Sequence, residues 1–319
     1  MKFRTLSLQT SLAVALALGG AVLAPLAHAA APMVKTQAPG FHRLMIGSFE
    51  VTALSDGTTD LPAETLLHSQ AHDIPRQLKA HHWKTSVTGY LVNTGDKLVL
   101  IDTGTGALMG PRLGKLDANL RAAGYQPDQV DDVLLTHAHP DHLGGLMVQG
   151  KMAFPNATIH MEQAEVTYWM SPERMEKAQA MERSFFAGAI ASLTAYSEAG
   201  RLKPFNPGAD LVPGIKAITA HGHTVGHTVF AVQSRGERLL VIGDLIHVGA
   251  VQLHDPAVTI AFDSDEKAAR ATRLKFFNEA ARDNTLIAAT HLSFPGVGRL
   301  SKAGKSFRWM PIEYSTQLR

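Results

Sequence analysis

The 319-residue sequence contains no cysteine. Disulfide staples are therefore excluded, and the core has to supply the stability even in an oxidising compartment. Thiolate metal sites are excluded too, which leaves histidine, aspartate and glutamate as the available ligands. Net charge is also scarce, with 30 basic residues against 28 acidic ones.

Residues 1–29 account for that small excess. "MKFR" is a basic start, "LAVALALGGAVLA" is an apolar run of signal-peptide length, and Ala27–Ala29 is a small-x-small cleavage site. Together they predict a signal peptide cleaved near Ala29 and a periplasmic or secreted destination. The run is short for a bilayer, Pro25 follows it, and no cysteine stands behind it for lipid attachment. No membrane anchor is expected. Cleavage removes Lys2 and Arg4 and no acid, leaving 28 basic against 28 acidic residues, so the sequence pI of 8.8 overstates the basicity. That balance speaks against a nucleic-acid surface. Linkers and low-complexity segments are missing as well, and residues 30–319 read as a single domain.

What the chain does have is strands alternating with helices, the pattern of an α/β protein. "FEVTALSDGT" reads as a strand and turn, and "TGYLVNTGDKLVLIDTG" as two strands around a turn at Thr94–Asp96. "GKLDANLRAAG" predicts a helix with Leu116 and Leu120 on one face and Gly124 just past its end. Residues 162–200 turn helical and rich in methionine and aromatics, with Pro172 splitting them into two helices. "VFAVQSRGERLLVIGDL" repeats the earlier two-strand theme and again ends in an aspartate. "DSDEKAARATRLKFFNEAARD" predicts a helix started by Asp263 or Ser264, and "TLIAATHLSFPG" a final buried strand.

Histidine is the residue in surplus. "LLTHAHPDHLGGL" places His137, His139, Asp141 and His142 within six positions at a strand end. Alternate side chains of an extended chain point the same way, so His137 and His139 can face one metal ion. Pro140 biases His139 towards an extended conformation and keeps the pair aligned. The following turn brings Asp141 and His142 to a second point, so the spacing suits two metals. His223 in "AHGHTVGHT", Asp244 in "VIGDLIH" and His291 in "AATHLSF" supply further ligands after other strands. Each alone would pass as an ordinary polar strand-end residue; together they point to a shared site. His81, His82, His221 and His227 find no place among these ligands, and His227 reads as a packing or supporting residue.

His-x-His-x-Asp-His, followed by Gly-His-Thr-x-Gly-His, an aspartate and a last histidine, resembles the metallo-β-lactamase superfamily. The resemblance implies a four-layer αβ/βα sandwich with the site at one edge of two packed sheets. It also implies that His137, His139 and His223 hold one metal, that Asp141, His142 and His291 hold the other, and that Asp244 bridges them. Through "TSVTGYLVNTG", "DLVPGIKA", "AHGHTVGHT" and "HLSFPG" the mature chain is further similar to methyl parathion hydrolases and their lactonase relatives. That likeness implies an exported homodimer with two divalent ions, zinc first, with manganese, cobalt or iron as alternatives.

Such a site would hydrolyse a small molecule with a hydroxide bridging the two ions, needing no protein nucleophile. Asp141 and Asp244 are the candidate catalytic carboxylates, Asp141 because it can also manage a proton. Asp102 in "IDTG" is expected to orient a ligand histidine. Trp169, Phe185 and Phe186 are expected to wall the pocket, with one of the two phenylalanines in the core instead. Leu66, Met109, His247, Ile260 and Phe262 complete the expected pocket. At these five positions the chain departs from the methyl parathion hydrolase pattern towards the lactonases. Phe262 would narrow the room that a phosphotriester needs, and His247 would hydrogen-bond a lactone. Lactones and aryl esters are therefore the expected substrates, with phosphotriesters the alternative. A cysteine-ligated β-lactamase is excluded, a glutathione thioesterase lacks its basic C-terminal residues, and a nuclease lacks basic tracks. A metal-binding protein without catalysis is disfavoured because all seven ligand positions are filled.

Overall fold

The computed structural model describes residues 31–68 and 83–318. The expected signal peptide, together with His81 and His82, lies outside the described residues. Residues 39–319 form one compact unit, and residues 31–38 are exposed with no regular secondary structure.

Two seven-stranded sheets build that unit. In the first, the order is Phe41–Ile46, Phe49–Leu61, Trp83–Asn93, Leu98–Ile101, Asp132–Leu134, Thr158–Glu162 and Leu202–Phe205. Its first four strands are antiparallel neighbours, and its last four pair in parallel. In the second, Asp210–Val212, Ile215–Thr219, Thr228–Ser234 and Glu237–Val241 form a meander. Leu286–Ala288 then pairs in parallel, and Val297–Ala303 and Ser306–Pro311 close the sheet as a hairpin.

Side-chain alternation sorts the apolar residues into layers. Val99 and Ile101 point inward with Tyr90, Val92 and Leu134, and meet Phe230, Val232, Leu239 and Val241 of the second sheet. Leu98 and Leu100 point the other way, under Leu116, Leu120, Phe186 and Leu193 of the outer helices. Likewise Val229, Ala231 and Leu240 face Phe276, Phe277 and Ala280 of the helix Glu266–Asp283. Strands buried on both faces read as continuous apolar runs, which is why "KLVLI" and "RLLVI" show no polar alternation. The layers are thus helix, sheet, sheet and helix, the expected αβ/βα sandwich.

Both strand pairs read from the sequence are present. Arg235 and Gly236 both have positive φ in a two-residue turn between Ser234 and Glu237, the backbone that a tight hairpin requires. Gly124 follows the helix Leu116–Ala122 at φ 93°, as its sequence position suggested.

Four expectations need correction. "SDGT" does not end its strand, which bulges between Ser55 and Gly57 and continues to Leu61. The Asp56 carboxylate, buried at the bulge, accepts hydrogen bonds from Thr105, Gly114 and Leu116 of the loop that follows Asp102. Residues 162–200 hold three helices, Gln163–Trp169, Pro172–Lys177 and Ala180–Glu198, because a second break falls at Ala178–Gln179. The cap of Glu266–Asp283 is Asp265, whose side chain accepts from Ala268 N; Asp263 is used elsewhere. "TLIAATH" is followed by two further strands. Among the described residues no helix is long and apolar enough to cross a membrane.

Among the described residues, Arg273 is the largest fully buried side chain. It donates to the carbonyl oxygens of Leu245, Pro256 and Val258 at 2.5, 3.0 and 2.6 Å, and its guanidinium lies 3.8 Å from Asp263. An Arg273→Leu substitution strands the buried carbonyls of Leu245 and Pro256, removes one of two donors to that of Val258 and takes the cation from beside Asp263, a loss of about 3–5 kcal/mol. We expect the melting temperature of the metal-free protein to fall by about 10 °C. A drop below about 2 °C would mean that these groups find other partners.

Candidate metal centre

The strand Asp132–Leu134 ends at the edge of the first sheet, and the chain runs straight into His137, Ala138 and His139. His139 is extended, with φ −72° and ψ 152°, and Pro140 opens the short helix Pro140–Leu143 that carries Asp141 and His142. The second sheet answers from the facing edge. His223 lies between the strands Ile215–Thr219 and Thr228–Ser234, Asp244 follows Glu237–Val241, and His291 follows Leu286–Ala288.

All seven expected ligand positions come together in two groups that share one carboxylate. Ligand atoms of His137, His139, His223 and Asp244 lie within 4.8 Å of one another, as do those of Asp141, His142, Asp244 and His291. Six of the seven are buried, and Asp141 is 17% exposed at its side chain.

Asp244 sits among five imidazoles. Its oxygens are 3.0 Å from His247, 3.1 Å from His142 and His291, 3.4 Å from His223 and 3.7 Å from His137. Burial works against its charge, yet His142, His291 and the others hold its pKa well below the usual carboxylate range. Burial lowers the pKa of His137 and His139 far below 6.5, aided by the neighbouring histidines. For His142 burial is overcome by Asp244, Asp141 and Asp102, and its pKa stands well above 6.5. His223 is brought up to about 9 in the same way by Asp244 and Asp263, and His291 is raised by Asp244 and Asp141.

Buried polar atoms are ordinarily hydrogen-bonded. Here Nε2 of His137, Nε2 of His142 and Oδ1 of Asp244 are buried with no hydrogen-bond partner in the chain. They are the atoms aimed into the two groups, and His142 Nε2 approaches Asp244 Oδ1 at 3.1 Å without hydrogen-bond alignment. Imidazole and carboxylate oxygen together suit zinc and its divalent neighbours. The residues therefore fit metal ions.

The opposite ring nitrogens are anchored. His142 Nδ1 is 2.8 Å from Asp102 Oδ2, His223 Nδ1 is 2.9 Å from Asp263 Oδ1, and His291 Nδ1 is 2.9 Å from the Ser86 carbonyl. Thr136 donates its hydroxyl proton to Asp102, so it accepts from His137 Nδ1 at 3.0 Å. Each anchor places the proton on Nδ1 and leaves Nε2 to face the cluster. Asp102 thus orients a histidine, as expected, and does so from a left-handed backbone at φ 59° that three hydrogen bonds pin. His227 is a support, not a ligand. Its Nε2 accepts from Asp244 N at 3.0 Å, and burial, then His223, take its pKa down to about 3. A Cβ on Gly243 would stand 2.6 Å from that nitrogen, so the residue before Asp244 has to be glycine.

Asp263 and Thr136 were not legible as site residues. Asp263 stands in "DSDEK", where any of three side chains can cap a helix, and nothing local sets it apart. Glu165 was missed as well: it is fully buried and accepts from Ala138 N and Gly226 N. His221 pairs with Glu162 at 2.8 Å.

A cavity of about 560 Å³, its open mouth included, lies over the clusters. Met109, Phe185, His247 and Phe262 line it, as expected. Leu66, Trp169 and Ile260 do not, and Phe186 is the one of the two phenylalanines that lies in the core. Phe186 and Trp169 belong to the core under the outer helices, where the Trp169 ring packs edge-on behind His139 at 5.3 Å. Ile260 is buried with Val248, Val251 and Val258, and Leu66 packs against that same cluster. His247 lines the cavity with its Nε2 engaged with Asp244 Oδ2, and burial takes its pKa down to about 4.

Two sheets that converge at one edge on His-x-His-x-Asp-His, a second histidine loop, a shared aspartate and a final histidine decide the relationship. The chain belongs to the metallo-β-lactamase superfamily. It matches that family over residues 83–291. The crystal structure of hydrolase AbOPH, of the β-lactamase superfamily, superposes with a TM-score of 0.81 at 36% identity, over 88% of this chain and 100% of that one. AidC, a dizinc quorum-quenching lactonase solved with an N-acylated L-homoserine product, superposes with a TM-score of 0.80 at 27% identity, over 87% and 99%. The probable metallo-hydrolase YybB of Bacillus subtilis (strain 168) is 26% identical over 194 residues, 61% of this chain and 74% of that protein. Within the superfamily, the chain is a metal-dependent hydrolase.

His142, raised well above 6.5, and His223, brought up to about 9, hold protons near pH 7 in the metal-free chain. Metal ions have to displace those protons, so loading should release protons and affinity should fall as pH is lowered. Calorimetric zinc titrations in buffers of different ionisation enthalpy measure the release directly. Binding without net proton release would contradict this charge assignment.

Proposed function

We propose that this hydrolase opens lactones and cleaves aryl esters, attacking a neutral carbonyl with water. The observation that carries the reading is the cavity wall. Leu61, Val87, Met109, Phe185 and Phe262 make it apolar, and among the described residues that line it none is lysine or arginine. Such a wall gives no partner to an anionic phosphodiester or a glutathione carboxylate, and it suits a flat uncharged acyl compound. The likeness to a lactonase at 27% identity over 87% of the chain supports the same reading.

His137, His139, His223 and Asp244 would hold one ion, and Asp141, His142, His291 and Asp244 the other. Divalent ions there supply Lewis acidity and lower the pKa of water from 15.7 to about 7. The chain's own residues do the rest. Phe185 and Phe262, with ring centroids 6.3 Å apart, hold the planar part of the substrate and exclude bulk water. Asp141, the part-exposed carboxylate of the set, takes the proton from the attacking water and passes it to the leaving oxygen. His247 holds Asp244 in place through its Nε2. Residues 1–29 support action in the periplasm or outside the cell.

The test is kcat/KM of the zinc-loaded protein on dihydrocoumarin, an N-acyl homoserine lactone, an aryl acetate and a nitrophenyl dimethyl phosphotriester. We expect a lactone to lead the phosphotriester by a hundredfold or more, about 2.7 kcal/mol. Phe262→Ala should shrink that ratio by about tenfold, about 1.4 kcal/mol, because it widens the wall for a tetrahedral centre. A wild-type preference for the phosphotriester would replace lactonase by phosphotriesterase as the reading.

A further inference from the structure

The three histidines of the first cluster come from two loops on different sheets, and their spacing depends on how those loops are tied. Ala138 lies between His137 and His139, and Gly226 lies three residues past His223. Both backbone N–H groups donate to one side chain. Glu165 Oε2 accepts from Ala138 N at 3.0 Å, and Oε1 accepts from Gly226 N at 2.7 Å. Glu165 is fully buried, and the contact leaves no slack: a Cβ on Gly226 would stand 2.9 Å from Glu165 Cγ and 3.0 Å from its backbone nitrogen. The helix that carries it, Gln163–Trp169, also packs Trp169 against His139. The loops also meet at their outer ends, through Thr228 N and the Thr136 carbonyl, and at the ligands themselves, where His223 Nε2 lies 3.1 Å from His139 Nδ1; Glu165 is the side chain that ties the backbone of the segments between them.

We propose that Glu165 is a positioning residue for the first metal cluster, its two oxygens setting the distance between the His137–His139 pair and His223. This rests on the two-cluster metal reading and not on the substrate. A carboxylate has two acceptors and no donor when ionised. Glutamine keeps the shape but turns an NH₂ group towards one of the two N–H groups, so one tie becomes a repulsion. The second cluster is spared, because Asp141, His142 and His291 lie outside the segments that Glu165 holds.

The experiment measures zinc stoichiometry after dialysis, affinity by chelator competition, and the visible spectrum of the cobalt-substituted protein. It uses wild type, Glu165→Gln, Gly226→Ala and Glu162→Gln. Glu162 is the comparator, a buried acid one turn away that accepts from His221 and Thr228. We expect Glu165→Gln to lose 10–100-fold in affinity at one of two sites, the scale for partners that orient ligands, with an altered cobalt spectrum. Gly226→Ala strikes the same tie from the other side and should lose the same site. Glu162→Gln should keep both ions at wild-type affinity, whatever its effect on the melting temperature. Two sites of wild-type affinity and spectrum in Glu165→Gln and Gly226→Ala would overturn the proposal. Equal losses in Glu162→Gln would also overturn it, by reducing the role to general packing. Wild type that binds no zinc would overturn the metal reading itself and this proposal with it.

Discussion

A carboxylate buried among five imidazoles organises this molecule. Asp244 is 3% exposed, and isolating a charge at that depth costs several kcal/mol unless opposite charge lies against it. The imidazoles supply that charge only as cations or as ligands of a cation. Protons on His142 and His223 meet the requirement in the metal-free chain. Divalent ions would meet it with more charge in less space. Unpartnered Nε2 atoms beside a raised-pKa set are two sides of one arrangement, since the cluster is built to exchange protons for metal.

The fold's contribution is to bring these groups to one seam and nowhere deeper. Between the sheets the core is apolar from Ile46 to Val297, and polar groups emerge only where strands end. In each sheet the second strand of a hairpin ends in an acid, Asp102 or Asp244, and pairs in parallel with the strand that leads to a histidine. Each half thus presents a carboxylate and an imidazole at the same edge, which gives structural content to the similarity of the two strand pairs. Around that edge, Asp56 fastens the loop after Asp102, while Arg273 fastens the loop after Asp244 and lies against Asp263. Two buried charged side chains therefore hold the segments that flank the ligands.

The cavity inherits its chemistry from the same geometry. Its floor is the polar seam, and its walls are the apolar ends of Phe49–Leu61 and Trp83–Asn93, the loop carrying Met109, and Phe185 from the helix Ala180–Glu198. A substrate therefore meets charge on one side only. The proposed flat, neutral acyl substrates would match that asymmetry, since the walls offer no counter-charge to an anion.

The candidate metal ligands were legible because each is a local event. A histidine or aspartate follows an apolar strand, and Pro140 keeps His139 extended, so residue type and spacing carry the information. The layers were legible for the same reason, through two strand pairs whose apolar runs have no polar face. What the sequence could not decide is which side chains touch across long separations. Asp263 looked like a helix cap, interchangeable with Ser264, whereas in the fold it supports His223, 40 residues away. Nothing local sets Glu165 apart, and its role exists only because two loops from different sheets converge on it. Among the aromatics, Trp169 and one of two adjacent phenylalanines were expected at the pocket, and packing decided that Phe185 reaches the cavity while Phe186 and Trp169 lie in the core. Ligand chemistry is written in residue type, whereas support and specificity are contacts between distant segments, and those exist only once the chain has folded.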